Sequence, residues 1–233
     1  MLSASAQALW QFLSQESSPA ARAEEDLWLK ELEGRTVQLA NAPEPSQENL
    51  RRLTVSRAVI ANSLRNNAAA IAQWNAAQTL LDEWLVAVVT PGLKQLVSLN
   101  AMLTATEGGG WRSGSIVTTQ ITHPSPADLP ALMDLFAERL EHLLENDHPL
   151  RAACFARYAV ASIHPFADAN GRSSQLFSDY ILLRHGFPPQ AFASQVEGFI
   201  IGDPVLKPHM TPHAALRVFC QTIRNAYTCL GLR

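Results

Sequence analysis

Apolar residues recur at three- and four-residue intervals through most of this chain, the spacing of helices that each bury one face. Leu27, Trp28 and Leu32 predict a short amphipathic helix, and the Pro-containing stretch at 41–46 predicts a loop after it. From Glu48 to Trp74 there is neither Pro nor Gly, and Ala, Leu, Arg and Asn dominate, which predicts one long helix or a helix pair. A further helical stretch runs from Ala76 until Pro91 stops it, and apolar residues at 93, 96, 99 and 103 restart the helix period. The pattern then changes. Glycines at 108–110 and the β-branched residues Ile116, Val117, Thr118, Thr119, Ile121 and Thr122 predict a loop followed by a short β-hairpin or edge strand. Ser125 suits a helix cap, Pro126 the first helical position and Asp128 the positive helix end. Pro149 opens the next helix, which runs to His164. Leu176, Phe177, Tyr180 and Ile181 mark another, ended by Gly186 and Pro188, and Thr211–Pro212 opens the last. The fold expected is mainly α with one small β element.

Composition narrows the class. At 233 residues the chain can hold one large domain or a smaller domain with a helical extension, and 47% apolar residues suffice for a core. A net charge of −3 without a block of like charges gives no footprint for nucleic acid. Cys154, Cys220 and Cys229 contain no C-x-x-C pair, so neither a disulfide framework nor a zinc site is expected. No stretch approaches the roughly 20 apolar residues that span a bilayer. The opening residues carry neither a basic leader nor a long apolar run, which predicts a cytoplasmic protein, or one secreted without a signal peptide.

The densest polar chemistry is HPFADANGR, His164 to Arg172, between two expected helices. The N-terminus of the second helix presents unpaired N–H groups and partial positive charge, a ready anion site. Asn170–Gly171 lets a ligand approach the backbone closely, and Arg172 adds a fork that fits phosphate oxygens. Asp168 is a hard carboxylate suited to Mg²⁺, and His164 titrates near ~6.5 when unperturbed, suitable for taking a proton. A P-loop is absent, and Ser113 interrupts a G-x-G-x-x-G reading of the glycine run. From the residues alone a second reading stays open: His-Pro-Phe as a helix terminator with Phe166 in the core, and Asp168 and Asn170 as ordinary caps.

The segment resembles the signature of the Fic family, H-P-F-x-[DE]-G-N-G-R-x-x-R. The Gly-Gly-Gly-Trp-Arg run at 108–112, the β-branched stretch, HPSPADLPALM and HPLRAACFARYAVASIHPF follow in the order of a Fic core, over about Leu93 to Phe187. The resemblance implies a Fic-type helical core at 93–233 with a β-hairpin flap, preceded by an N-terminal helical extension at 1–92. It implies that His164 is the base that deprotonates a target hydroxyl, that Phe166 packs under the loop and that Asp168 holds Mg²⁺ against the phosphates. Asn170 and Gly171 would cradle phosphate oxygens and Arg172 would pair with the β-phosphate, with Ala169 and Gln175 completing the nucleotide site. The flap at 114–122 would clamp a target segment by strand pairing. Most characterised members of the family transfer AMP from ATP to a protein Ser, Thr or Tyr.

Two positions depart from the signature. Ala169 stands where the family usually has Gly, and Gln175 where it usually has a second Arg. If position 169 needs φ > 0, Ala costs on the order of 1–2 kcal/mol there. Ala at this point also occurs in the phosphocholine-transferring branch of the family, and losing the second Arg removes a partner for a terminal phosphate. A CDP-linked donor such as CDP-choline is therefore an alternative to ATP, and a catalytically weak module that binds a nucleotide or a partner is another. Residues 58–67 resemble the family's autoinhibitory helix, but Arg65 falls where that helix has its Glu and Ala61 where it has Ser or Thr. His209 and His213 have i,i+4 spacing, yet Pro212 lies between them and no acid accompanies them, which is poor metal chemistry.

Overall fold

A computed structural model describes residues 2–58, 67–106, 110–118, 121–192 and 211–232. The helices are α1 (Ala4–Leu13), α2 (Pro19–Ala40), α3 (Gln47–Ala58), α4 (Ala68–Val86), α5 (Leu93–Thr104), α6 (Leu129–Asn146), α7 (Pro149–Ile163), α8 (Asn170–Arg184) and α9 (Pro212–Cys229). Two short strands, β1 (Val117–Thr118) and β2 (Ile121–Thr122), pair antiparallel with Val117 opposite Thr122 and Thr118 opposite Ile121.

The sequence pattern located most of these helices but not all their ends. The stretch before residue 41 is not a short helix: α2 has 22 residues, capped by Ser18 with Pro19 at its first turn. α4 runs continuously from Ala68 through the expected break near Ala76 and ends at Val86, well before Pro91. Its exit is local: Val88 takes a left-handed φ of 54° and the Val89 N–H bonds back to the Trp84 carbonyl. Ser125 caps a single 3₁₀ turn, Pro126–Asp128, and α6 begins only at Leu129. α1 escaped the sequence reading. It is anchored because the Ser3 N–H and hydroxyl both donate to the Asp128 carboxylate, at 2.8 and 2.7 Å, which holds that carboxyl below its usual pKa.

α7 is the central helix. Of its 15 residues all but Pro149 and Phe155 are buried, and the small side chains Ala152, Ala153, Ala156, Ala159 and Ala161 let neighbours close on it from every side. It packs against α1, α6, α8 and α9, while α4 and α5 cover α8. One apolar cluster joins Leu29 and Leu32 of α2, Leu96 and Leu99 of α5, Phe136 of α6, Phe177 of α8 and Phe219 of α9. Burial of each such side chain contributes about 1.5–3 kcal/mol. Helices before and after residue 92 thus share a core. α2 is also tied to α7 by Arg151, which pairs with Glu25 and Asp26. No helix among the described residues is long and apolar enough to cross a membrane.

Candidate active site

Six residues, His164 to Ala169, separate α7 from α8, and both ends of that turn are left-handed. His164 closes α7 at φ 53°, ψ 57°, and Ala169 opens α8 at φ 61°, ψ 16°. Position 169 therefore does need positive φ, the condition under which Ala carries a strain that Gly would not. The turn is held from inside. The Asn170 side chain accepts the Phe166 N–H at 2.9 Å and donates to the Phe166 carbonyl at 2.8 Å, closing the loop on itself. Phe166 is fully buried, with its ring 5.5 Å from that of Trp111, as expected of a residue under the loop.

These bonds decide which groups face a ligand. The Asn170 amide is turned onto Phe166, and its backbone N–H is left for a phosphate. The first α8 bond is from the Ser173 N–H to the Ala169 carbonyl at 2.8 Å, which leaves the N–H groups of Asn170, Gly171 and Arg172 without helical acceptors. Nothing lies within 4 Å of where a Gly171 Cβ would sit, so the approach there is open. Among the described residues Arg172 makes only long contacts, 3.4 Å to the Leu103 carbonyl and 3.4 Å to Asp168. Its fork can exchange them for an anion. The Asp168 side chain is 78% exposed.

His164 is half-buried. Its Nδ1 lies 3.3 Å from the Ala161 carbonyl, which can only accept, so Nδ1 carries the hydrogen and Nε2 keeps its lone pair. Burial first, then the neighbouring His123, pushes the pKa down from the ordinary 6.5 to about 4. The ring is therefore neutral at pH 7 and able to accept a proton. Gln175 lies one turn into α8, fully buried, and neither atom of its amide has a hydrogen-bond partner among the described residues. The turn and the first helical turn thus gather His164, Asp168, Ala169, Asn170, Gly171 and Arg172, whereas Gln175 is enclosed in the helix packing.

Four supporting residues were not assigned to the site from the sequence. Asn100 on α5 donates to the Asp168 carbonyl at 2.8 Å and to the Ser173 hydroxyl at 3.0 Å. Arg157 on α7 is fully buried and donates to the Gly171 carbonyl and the Ser174 hydroxyl at 2.6 and 2.5 Å. Burial lowers its pKa to about 10, which still leaves it charged at neutral pH behind the helix N-terminus. Arg112 spans three segments by donating to the carbonyls of His164, Gly114 and Pro124. His123 stacks on His164 with ring centroids 4.2 Å apart. The available signal was a polar residue on an otherwise apolar helix face, as at Asn100 and Arg157.

Among the described residues no three His, Cys, Asp or Glu side chains converge as a metal cage. One exposed carboxylate beside a helix N-terminus with N–H groups lacking helical acceptors still fits Mg²⁺, which takes one or two carboxylates together with substrate phosphates and water. His213 instead contacts Glu24 and Glu25 and lies against Trp28, while His209, Ala61 and Arg65 fall outside the described residues. A cavity of about 120 Å³, lined by Phe12, Arg22, Glu25, Arg139 and Cys154 among others, contains none of the motif residues.

The profile of the Fic/DOC family matches residues 90–182. Over 94 residues the chain is 37% identical to a protein adenylyltransferase Fic of Drosophila virilis, covering 38% of this chain and 19% of that protein. With the corresponding Drosophila persimilis protein it shares 38% over 91 residues, again 38% of this chain and 18% of the relative. The chain thus spans about a fifth of the curated relatives it matches. Among solved structures, a Fic domain containing signaling protein from Bacteroides thetaiotaomicron aligns with a TM-score of 0.61 at 18% identity, over 87% of this chain and 92% of that one. Fic-1 from C. elegans aligns with a TM-score of 0.64 at 17% identity, covering 91% and 73%. IbpAFic2 in complex with adenylylated Cdc42 aligns with a TM-score of 0.64 at 16% identity, covering 92% and 73%. The helical fold is that of Fic domains.

Proposed function

Residues 90–182 belong to the Fic/DOC family, and from that premise we propose that the chain is a Fic-type transferase that moves AMP from ATP onto a hydroxyl side chain of a target protein. The observation that carries the reading is the neutral His164, with Nε2 unprotonated, on the turn that leads into three unpaired α8 N–H groups and Arg172. Nε2 takes the proton of a Ser, Thr or Tyr hydroxyl. That oxygen forms a bond to the α-phosphorus, and the bond from phosphorus to the bridging oxygen breaks, so pyrophosphate leaves with the electron pair. The N–H groups of residues 170–172 and the Arg172 fork hold phosphate oxygens, and Arg157 adds positive charge from behind. Asp168 would hold Mg²⁺, whose contribution when bound is to neutralise phosphate charge. The target segment would dock on the flap at 114–122 by pairing with a strand. Relatives named protein adenylyltransferase, and a neighbour solved with adenylylated Cdc42, support a protein acceptor.

One observation favours a second donor. Gln175 is enclosed and uncharged where the signature has an Arg, so a terminal phosphate finds no cation there. This suits transfer of phosphocholine from CDP-choline. Label transfer from α-labelled ATP and from choline-labelled CDP-choline, each with wild type and His164→Ala, decides between them. We expect AMP transfer by wild type and a loss of about 10²–10⁴-fold in the variant. Transfer from CDP-choline alone would move the donor to the second reading. Equal transfer by wild type and His164→Ala would remove His164 from the mechanism, and no transfer from either donor would favour a binding module.

A further inference from the structure

His123 stands directly after β2, and three contacts place it between the flap and the base. Its backbone N–H donates to the Ile116 carbonyl at 3.2 Å, so it belongs to the hydrogen-bonded frame of the hairpin. Its Nδ1 lies 3.0 Å from the Ser162 carbonyl in the last turn of α7. That oxygen can only accept, so Nδ1 of His123 carries a hydrogen. Its ring lies over the His164 ring, with centroids 4.2 Å apart and planes 28° from parallel. The side chain is buried, so the stack is sheltered from water.

An imidazole at a helix end turns about its Cβ–Cγ bond unless something holds it. His164 has one long bond, 3.3 Å from Nδ1 to the Ala161 carbonyl, which directs an edge of the ring but does not brace a face. The stacked ring supplies that brace. We propose that His123 is a positioning residue for His164: its ring fixes the plane of the His164 imidazole, and its backbone ties that plane to the flap. The inference rests on the reading of His164 as the general base. A segment that pairs with the hairpin would set Nε2 toward its own hydroxyl, so docking and proton transfer become coupled through one side chain. Arg112, which donates to the carbonyls of His164, Gly114 and Pro124, keeps the flap base and the turn in one frame.

The groups that set the charge state of His164 are His123 from the flap, Arg112 from the flap base and Asp168 from the turn, with the Ala161 carbonyl of α7. Removing His123 opens one face of the ring to water and takes away a neighbour that lowers the His164 pKa, and both changes raise the proton affinity of His164.

The test uses the whole chain as wild type, His123→Ala, His123→Phe and His164→Ala. Phe keeps an aromatic face over His164 but cannot donate to Ser162. Ring-carbon NMR titration of His164 needs neither donor nor target. In His123→Ala the midpoint should rise toward ~6.5 and the ring-current shift should vanish, while His123→Phe should restore most of that shift. Steady-state label release and transfer from α-labelled ATP, with water and the chain's own hydroxyls as acceptors, should show a kcat drop of about tenfold or more in His123→Ala. KM for ATP should stay unchanged, because no phosphate contact is touched, and Phe should recover part of kcat. The acid limb of the kcat profile should move up with the NMR midpoint. A His164 resonance and midpoint that are the same in all His123 variants would overturn the proposal. So would an unchanged kcat in His123→Ala while His164→Ala is inactive. Should His164→Ala keep full activity, the general-base reading fails and the positioning role falls with it, whatever the stacking shows. Melting curves for the Ala and Phe variants identify any unfolded protein, and a folded Phe variant is enough for the NMR comparison.

Discussion

Asn170→Ala separates a side chain that builds the loop from one that holds the nucleotide. The amide makes two bonds to one residue, 2.9 Å from the Phe166 N–H and 2.8 Å to the Phe166 carbonyl, and Asn170 is 2% exposed. Truncation leaves a donor and an acceptor of the same buried peptide segment unpaired, each costing about 1–3 kcal/mol. The three atoms removed leave room for about one water, which can recover part of that. The expected loss is therefore about 2–4 kcal/mol, a large part of a domain's stability of roughly 5–15 kcal/mol. Urea unfolding followed by circular dichroism should show a lower midpoint at an unchanged slope. Asn170→Asp sharpens the case: it keeps the acceptor for the Phe166 N–H but sets a carboxylate oxygen against the Phe166 carbonyl in a buried place. It should destabilise at least as much as Ala. Transfer should fall by about 10²-fold in Asn170→Ala through displacement of the turn. A stability loss below about 0.5 kcal/mol together with a large fall in nucleotide affinity would refute this, and would return the Asn170 side chain to the phosphates.

Three further outcomes follow from strain, burial and charge. Val88 is a β-branched residue at φ 54° and 61% exposed, so Val88→Gly should stabilise by about 0.5–1 kcal/mol after the extra unfolded-state entropy of Gly is subtracted; a lower melting temperature would contradict it. Gln175→Met replaces a fully buried amide without partners by an apolar chain of similar length and should raise stability by about 1 kcal/mol in the same urea assay. Burial lowers the pKa of His148, His164 and His185 below the ordinary 6.5, to about 4 for His164. Their folded pKa values lie below the unfolded ones, so the stability they contribute is complete above pH ~6.5 and is lost as pH falls toward ~4. Melting temperature measured from pH 7.5 to 4 should decline through that window, and the decline should shrink in His164→Ala.

Most of the helices, the hairpin and the candidate turn were legible because each depends on local chemistry. Thr211–Pro212 capped α9 where the sequence placed it, and the β-branched run paired as Val117–Thr118 with Ile121–Thr122. HPFADANGR disclosed its residue types, and with them the resemblance to the Fic family, because anion binding at a helix N-terminus needs those groups close together in sequence. The sequence could not say which way a side chain turns. Asn170 reads as a phosphate ligand, yet its amide closes on Phe166, because the peptide groups of a buried turn must find partners before a ligand arrives. Likewise, α4 ran past its expected break because Trp74, Ala77 and Leu81 form one buried stripe across it. His123 and Asn100 lie 41 and 64 residues before His164, and no local pattern joins them to it. Long-range packing alone sets a flap histidine on the base, an α5 amide on the turn and a buried guanidinium behind the helix N-terminus. Composition and spacing determined the chemistry this chain carries, and the packing of α5, α7, α8 and the hairpin decided which atoms are left to perform it.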